Sequence, residues 1–353
     1  MTRPPEGDGS LSSECLVLGA MDKFRGTATS RSLSEAVARA STNSKCSAAS
    51  QPLSDGGEGF RDAFDGEVHS VEVSGPLGET VEARITMTIS PTGVVGVVEV
   101  ADVVGRDLLK SPTREEALEA SSQGVAYLIL QAARLGAESV LIGCGGSATS
   151  DGGRGCYQIL RDAGGLPVPV VAATDVSARF SGVLRYATQK GVADDDLQIV
   201  ESRLKDVRGL YLREQGVDVE RIDRTGASGG IPGAIAALGG TLTSGFDAVS
   251  QAVNLPESIL RSSLVVTGEG RFDEGSLEGK VTIGVANLVR GLVPLLVICG
   301  SVDARVAQIV SHDFENVKII SLSDRFGAEA SMNSVCQSLE TVVEEEIESL
   351  IGQ

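Results

Sequence analysis

The chain has 353 residues, of which 42% are hydrophobic and 22% charged, enough apolar content for a large core and a length that favours two domains over one. Its formal net charge of -18 excludes a general nucleic-acid binder. No apolar run approaches the ~20 residues that span a bilayer, and only two histidines, His69 and His312, argue against Ser-His-Asp chemistry or a His-rich metal site.

Residues 1–14 are polar, lack the apolar core of a signal peptide, and read as a loose tail. CLVLGA at 15–20 is a buried strand. A helix follows over 31–40, with Leu33, Ala36, Val37 and Ala40 on one face, and Ser32 with Glu35 suggests its capping box. From 67 to 100 the text alternates with period two around Gly-Pro-Leu-Gly and Ser-Pro-Thr-Gly, which predicts a hairpin or meander. Pro112-Thr113-x-x-Glu116 announces another helix that Gly136 stops, with a break expected between Ser121 and Gly124. SVLIG, PVVAAT, SLVVTG and LLVICG are further buried strands, and 334–352 form a long amphipathic helix.

Strands alternating with helices predict an α/β fold. The differing texture of the middle predicts two domains. A discontinuous parallel-sheet domain of Rossmann or flavodoxin type takes residues 1–66 and 261–353. An inserted mixed α/β domain takes 67–260. The six cysteines are scattered without a Cys-x-x-Cys and read as reduced, mostly core residues of a cytosolic protein.

Several strands end in glycine and an acid: Asp22, Asp151, Glu269 with Asp273, and Asp303. Carboxyl ends of parallel strands form the ligand crevice in such folds. SDGGEG at 54–59 is echoed by SDGGRG at 150–155, and both loops are expected to face one site. Asp-Gly-Gly suits a place where amides meet an anion and a carboxylate holds Mg²⁺; the plainer reading is a turn with positive φ at glycine. Gly143-x-Gly145-x-x-Ala148 partly matches a dinucleotide fingerprint, with Asp175 late for its acid. P-loop and protein-kinase motifs are absent from the sequence. Basic candidates near the loops are Lys23, Arg25, Arg154, Arg185, Lys190, Arg271 and Lys280.

Taken together, MDKFRG, PLSDGGEGF, SGPLGE, IGCGGSATSDGGRG, TQKG, GASGGIPGA and TGEGRFDEGSLEGK resemble, in order and spacing, the bacterial type I glycerate kinases. The resemblance runs from about Leu16 to Gly300. It implies a two-domain enzyme that transfers a phosphoryl group from ATP to D-glycerate with Mg²⁺, giving the 2-phospho product. The departures are specific. The family's D-S-F-K reads Asp22-Lys23-Phe24-Arg25, its F-G-P-Q-K-G survives as Gln189-Lys190-Gly191, and its G-A-G-A-A-G-G-x-G reads GASGGIPG at 226–233.

On this reading Asp151, Asp55, Asp273 and Lys280 are the catalytic candidates, and Asp151 and Asp55 are the metal ligands. Substrate and phosphate contacts are expected from Asp22, Lys23, Arg25, Gly56, Gly57, Glu58, Gly145, Gly146, Ser147, Thr149, Gly152, Lys190, Glu269, Arg271 and Ser276. ATP and Mg²⁺ are the cofactors and a small hydroxy acid the partner. Nucleic acid and membrane are not expected, the location is cytoplasmic, and a homodimer is allowed. The alternatives are a non-catalytic or altered-substrate member of the fold, or a nucleotide-dependent dehydrogenase.

Overall fold

The computed structural model describes residues 15–90, 92–278 and 280–351. The tail reading of 1–14 and Gly279 of the TGEGRFDEGSLEGK loop lie outside them. The chain forms two compact units. The first joins residues 1–52 to 254–353 and the second is 53–253. The crossings fall at 52/53 and 253/254 rather than 66/67 and 260/261. The 54–59 turn belongs to the second unit because it lies on the strand ends there: a Cβ at Gly56 would sit 3.1 Å from the Ala173 carbonyl and from Gly245 Cα.

The first unit holds a five-stranded sheet in the order Val317–Ser321, Leu295–Cys299, Leu264–Thr267, Leu16–Gly19, Ser47–Ser50, and every pairing is parallel. These strands carry near-continuous apolar runs because a parallel sheet is covered on both faces. The Ser30–Asn43 and Val335–Ile351 helices close the core through Leu33, Val37, Leu339, Val342 and Val343, all fully buried. Thr29, not Ser32, caps the first of these helices: its hydroxyl accepts from the Ser32 amide at 3.1 Å, so the helix begins a turn earlier than its apolar stripe.

One expectation fails in this sheet. Cys15 and Cys46 form a disulfide. They precede Leu16 and Ser47, which pair across adjacent parallel strands, and register therefore places them 4.9 Å apart at Cα. Cys144, Cys156 and Cys299 are free and buried, and Cys336 is free and partly buried.

The second unit holds a six-stranded mixed sheet: Glu67–Ser74, Thr80–Ser90, Gly93–Glu99, Ser139–Cys144, Val170–Thr174, Thr241–Ser244. The first two pairings are antiparallel, which is the expected meander, and the rest are parallel. The long helix expected from Thr113 is two helices, Arg114–Glu119 and Gln123–Arg134, interrupted at 120–122. Thr113 and Glu116 form the capping box of the first. Both units are therefore α/β, one parallel and one mixed. Among the described residues no helix is long and apolar enough to cross a membrane.

Candidate functional site

In the second unit the strand Ser139–Cys144 runs into the loop 145–153, and everything around that loop is arranged by hydrogen bonds to it. The Asp151 carboxylate accepts four. Its Oδ2 takes the Ser122 amide at 2.9 Å, the Ser122 hydroxyl at 2.7 Å and the Gly155 amide at 3.1 Å; its Oδ1 takes the Gly153 amide at 2.9 Å. Asp151 thus ties the helix break at 120–122 to the start of the Arg154–Asp162 helix. Negative charge belongs at a helix N-terminus, where unpaired amides collect. The Thr149 hydroxyl is also occupied: it donates to the Ala120 carbonyl at 2.5 Å and accepts from the Asp151 amide at 3.1 Å. The Gly152 amide donates to Gly229 O, and its carbonyl accepts from Tyr211 Oη at 2.8 Å. These three residues, expected to hold metal, phosphate or substrate, hold the loop.

The two Asp-Gly-Gly loops do meet. A Cβ on Gly145 would lie 2.5 Å from Gly57 Cα, and one on Gly143 would lie 2.7 Å from Phe60 Cβ. The glycines of the partial dinucleotide fingerprint are therefore bare because the 54–60 segment lies against them, and the space a pyrophosphate would need is filled. In that segment Asp55 accepts from the Gly57 amide at 3.0 Å and Ser54 Oγ from the Gly56 amide at 3.3 Å. Glu58 is exposed.

Glu99 was absent from the expected site. This buried carboxylate accepts from the Gly59 amide at 3.0 Å and the Arg61 amide at 2.8 Å, and the buried Arg61 pairs with Asp102 at 3.4 Å. Burial pushes the Glu99 carboxyl above its ordinary range. The pattern of an acid ending a buried strand picks out Glu99 in GVVGVVE, although the sequence does not say what it would hold.

Lys190 lies beside the same loop. Its Nζ donates to Ser147 Oγ at 2.8 Å and to the Thr149 carbonyl at 2.7 Å. Burial brings its ammonium down to about 7, against Asp151, which favours the charged form. The 226–230 loop comes equally close: a Cβ on Gly229 would fall 2.1 Å from Thr149 O and 3.2 Å from Lys190 Nζ, so only glycine fits there. Ser228 beside it sits at φ 50°, a left-handed conformation that costs a non-glycine residue about 1 kcal/mol. The Ser150 and Ser228 hydroxyl oxygens are buried without hydrogen-bond partners among the described residues. Gly146, at φ 67°, follows in the same loop, and its carbonyl accepts from the Arg106 amide at 2.9 Å.

In the first unit the candidates gather beyond the carboxyl ends of the parallel strands. Asp22 is buried; its amide donates to Gly268 O and its Oδ1 accepts from the Lys23 amide at 2.8 Å. Arg25 is exposed and Lys23 half-buried. Glu269 is buried, and its carbonyl accepts from Gly300 N. Arg271 is exposed and pairs with Asp273 at 3.1 Å. Asp273 also accepts from the Gly275 amide at 3.0 Å, while the buried Ser276 accepts from the Asp273 amide. Lys280 is the N-cap of the Val281–Val289 helix. Asp303, another acid at a strand end, caps the Ala304–Asp313 helix through the Arg305 and Val306 amides.

Comparison with known proteins gives these loops a context. The family model "Glycerate kinase family" matches residues 17–163 and 166–351. The chain is 34% identical over 307 residues to glycerate 2-kinase of Escherichia coli K12, covering 76% of this chain and 80% of that one. It is 31% identical over 303 residues to a glycerate kinase of Halalkalibacterium halodurans, covering 75% and 79%. A crystal structure from Salmonella typhimurium LT2, provisionally named glycerate kinase 2, superposes with a TM-score of 0.79 at 25% identity, over 96% of this chain and 98% of that one.

Proposed function

Since the chain belongs to the glycerate kinase family, we propose that it transfers the γ-phosphoryl group of ATP to D-glycerate, giving 2-phosphoglycerate. The observation that supports this reading is the second unit's loop cluster, where the Lys190 amine donates to Ser147 and Thr149, the Ser150 and Ser228 hydroxyl oxygens are buried without partners among the described residues, and Gly229 meets Thr149 with bare backbone. Phosphoryl transfer asks a protein chiefly to position its reactants and neutralise charge. Gly146 and Ser147 are the anion-facing part of this loop, while Gly145 is packed against Gly56 and Gly57. Asp151, Thr149 and Gly152 are positioning residues, since their polar groups are committed to the fold.

In the first unit, Arg271, Lys280, Lys23 and Arg25 neutralise phosphate, and Asp22, Glu269, Asp273 and Ser276 fix the loops that carry them. Mg²⁺, when bound, offsets charge on the β- and γ-phosphates. A metal brought in on those phosphates needs only one or two protein carboxylates. Asp151, with four donors on its carboxylate, does not fit that task; Asp55 does, as a half-buried carboxylate in a turn of amides. No group of three or more His, Cys, Asp or Glu side chains that could hold a metal occurs among the described residues. ATP as co-substrate fits a cytoplasmic enzyme.

The test is direct. Purified protein with ATP, Mg²⁺ and D-glycerate should form a phosphoglycerate whose ³¹P spectrum is that of the 2-isomer. The 3-isomer would correct the product. ATP consumption without phosphoglycerate, or no consumption, would remove the reading.

A further inference from the structure

The Cys15–Cys46 bond joins the amino end of the Leu16–Gly19 strand to the amino end of the Ser47–Ser50 strand. It closes a ring that contains the first strand, the 20–29 loop with Asp22, Lys23 and Arg25, and the whole Ser30–Asn43 helix. The link and the candidate loop thus lie at opposite ends of one strand. The side of the ring that the link secures is the weak one. Leu16–Gly19 is interior to the sheet, with Val17 and Leu18 fully buried. Ser47–Ser50 is an edge strand that pairs only with Leu16–Gly19, and none of its four residues is buried. The helix reaches it through Lys45, exposed and at φ 63°, a left-handed conformation that costs a non-glycine residue about 1 kcal/mol. Segments with few buried apolar contacts are where local opening costs least.

The bond is also the place where thiol chemistry can act. Cys15 and Cys46 are half-buried. Cys144, Cys156 and Cys299 are fully buried, and burial pushes their thiols above the ordinary range, which leaves them unreactive. Cys336 is half-buried, but its sulfur lies 3.9 Å from the Ser32 carbonyl, in the first turn of the Ser30–Asn43 helix. Cys46 follows the last turn, roughly 16 Å along the axis, well beyond the ~7 Å over which two cysteines bridge. Exchange is therefore confined to Cys15 and Cys46.

We propose that the Cys15–Cys46 bond is a reversible redox clamp. Closed, it holds the Ser30–Asn43 helix and the Ser47–Ser50 strand onto the sheet; open, it lets them unfold locally. Accessible disulfides are the labile, regulatory ones. A dithiol reductant attacks one sulfur as its thiolate, the S–S bond breaks, and a mixed disulfide forms. The second thiolate of the reductant then displaces the protein sulfur. Two electrons and two protons pass to Cys15 and Cys46, which become thiols, and the reductant becomes a disulfide. Oxidised glutathione runs the exchange backwards and leaves as two thiols. A cross-link acts mainly by restricting the opened chain, so the closed clamp makes opening rarer by on the order of 100-fold. The 20–29 loop passes through Thr29 straight into the clamped helix, so its order follows the clamp.

The test uses the full chain without substrate, and its outcome is separate from that of the kinase assay. Native protein is incubated with dithiothreitol or with oxidised glutathione, thiols are trapped by alkylation, and peptides are mapped by mass. Dithiothreitol should open both Cys15 and Cys46 to alkylation without denaturant, and glutathione should restore the bond. A pair reduced only in denaturant is a permanent staple and overturns the proposal, as does a pair that does not re-form. Hydrogen exchange over 30–50 should run on the order of 100-fold faster in the reduced protein, with exchange over 67–100 in the second unit unchanged. Equal exchange over 30–50 in the two states overturns it. Cys46→Ser should exchange like the reduced parent under either condition; a variant as protected as the oxidised parent overturns the clamp. Cys336→Ser should keep the whole redox response, and its loss there would move the switch to another sulfur and overturn this one.

Discussion

The second unit contains the same six-residue text twice, SDGGEG at 54–59 and SDGGRG at 150–155, with one residue changed. The two turns agree where the chemistry is local. Asp55 accepts from the amide two residues on, Gly57, at 3.0 Å, and Asp151 accepts from Gly153 at 2.9 Å. They part at the amide four residues on. Gly155 N returns to its own Asp151, whereas Gly59 N goes to Glu99, on a neighbouring strand. Asp151 then adds the Ser122 amide and hydroxyl. One aspartate is the hub of its loop; in the other loop the hub is Glu99. A repeated motif thus fixes a turn, and the surroundings decide which carboxylate keeps it in place.

Exchanging the carboxylates should separate the two duties. Asp55→Asn is expected to cost about 3 kcal/mol of transition-state stabilisation, ~100-fold in turnover, with urea stability changed by less than about 1 kcal/mol. Asp151→Asn should reverse the profile and lose roughly 2–4 kcal/mol of stability, because an amide NH₂ would face the Ser122 or glycine donors. Paired urea titrations and initial rates on both variants check this. If Asp151→Asn is as stable as the parent, its carboxylate is not a hub.

A smaller effect sharpens how closely the two turns depend on each other. Gly145→Ala would put a methyl 2.5 Å from Gly57 Cα, backbone against backbone, with no flexible side chain to give way. We expect a loss of about 1–3 kcal/mol. Gly136→Ala is the comparison: φ there is 97° with nothing near the added carbon, so any cost comes from conformation alone. A Gly145→Ala protein that melts with the parent would mean that the contact between the turns contributes nothing.

Per pH unit, the smallest effect concerns the Asp151 turn alone. Lys190, lowered to about 7 by burial, binds fewer protons folded than unfolded between that pH and the ~10.4 of a free lysine. Stability contributed through this amine therefore rises as pH rises across that window and is lowest below it. Relative to Lys190→Met, the parent should gain at most about 1.4 kcal/mol per pH unit there. Chemical denaturation of both proteins at pH 7, 8 and 9 reads the difference; a constant gap would mean that Lys190 stays charged.

Local physics made a good part of this protein legible. Apolar runs marked the buried strands, the Gly-Pro-Leu-Gly and Ser-Pro-Thr-Gly punctuation marked the meander, and Thr113 with Glu116 announced a capped helix. The helix break at 120–122 was also visible, because Gly124 and paired serines weaken a helix within one turn of each other. The ordered set of Gly-rich acidic loops was distinctive enough to indicate the family.

What distant neighbours decide was not legible. Cys15 and Cys46 are 31 residues apart in sequence and meet only through the register of two parallel strands. Gly143 and Gly145 looked like a dinucleotide fingerprint, and packing against Phe60 and Gly57 gave them another reason to be glycine. Sequence by itself determined the turns at Asp55 and Asp151, since an aspartate followed by two glycines closes on its own amide by short-range bonding. Only the tertiary structure decided their duties, because the remaining donors, Ser122 for one and the pull of Glu99 on Gly59 for the other, arrive from elements 29 and 40 residues away.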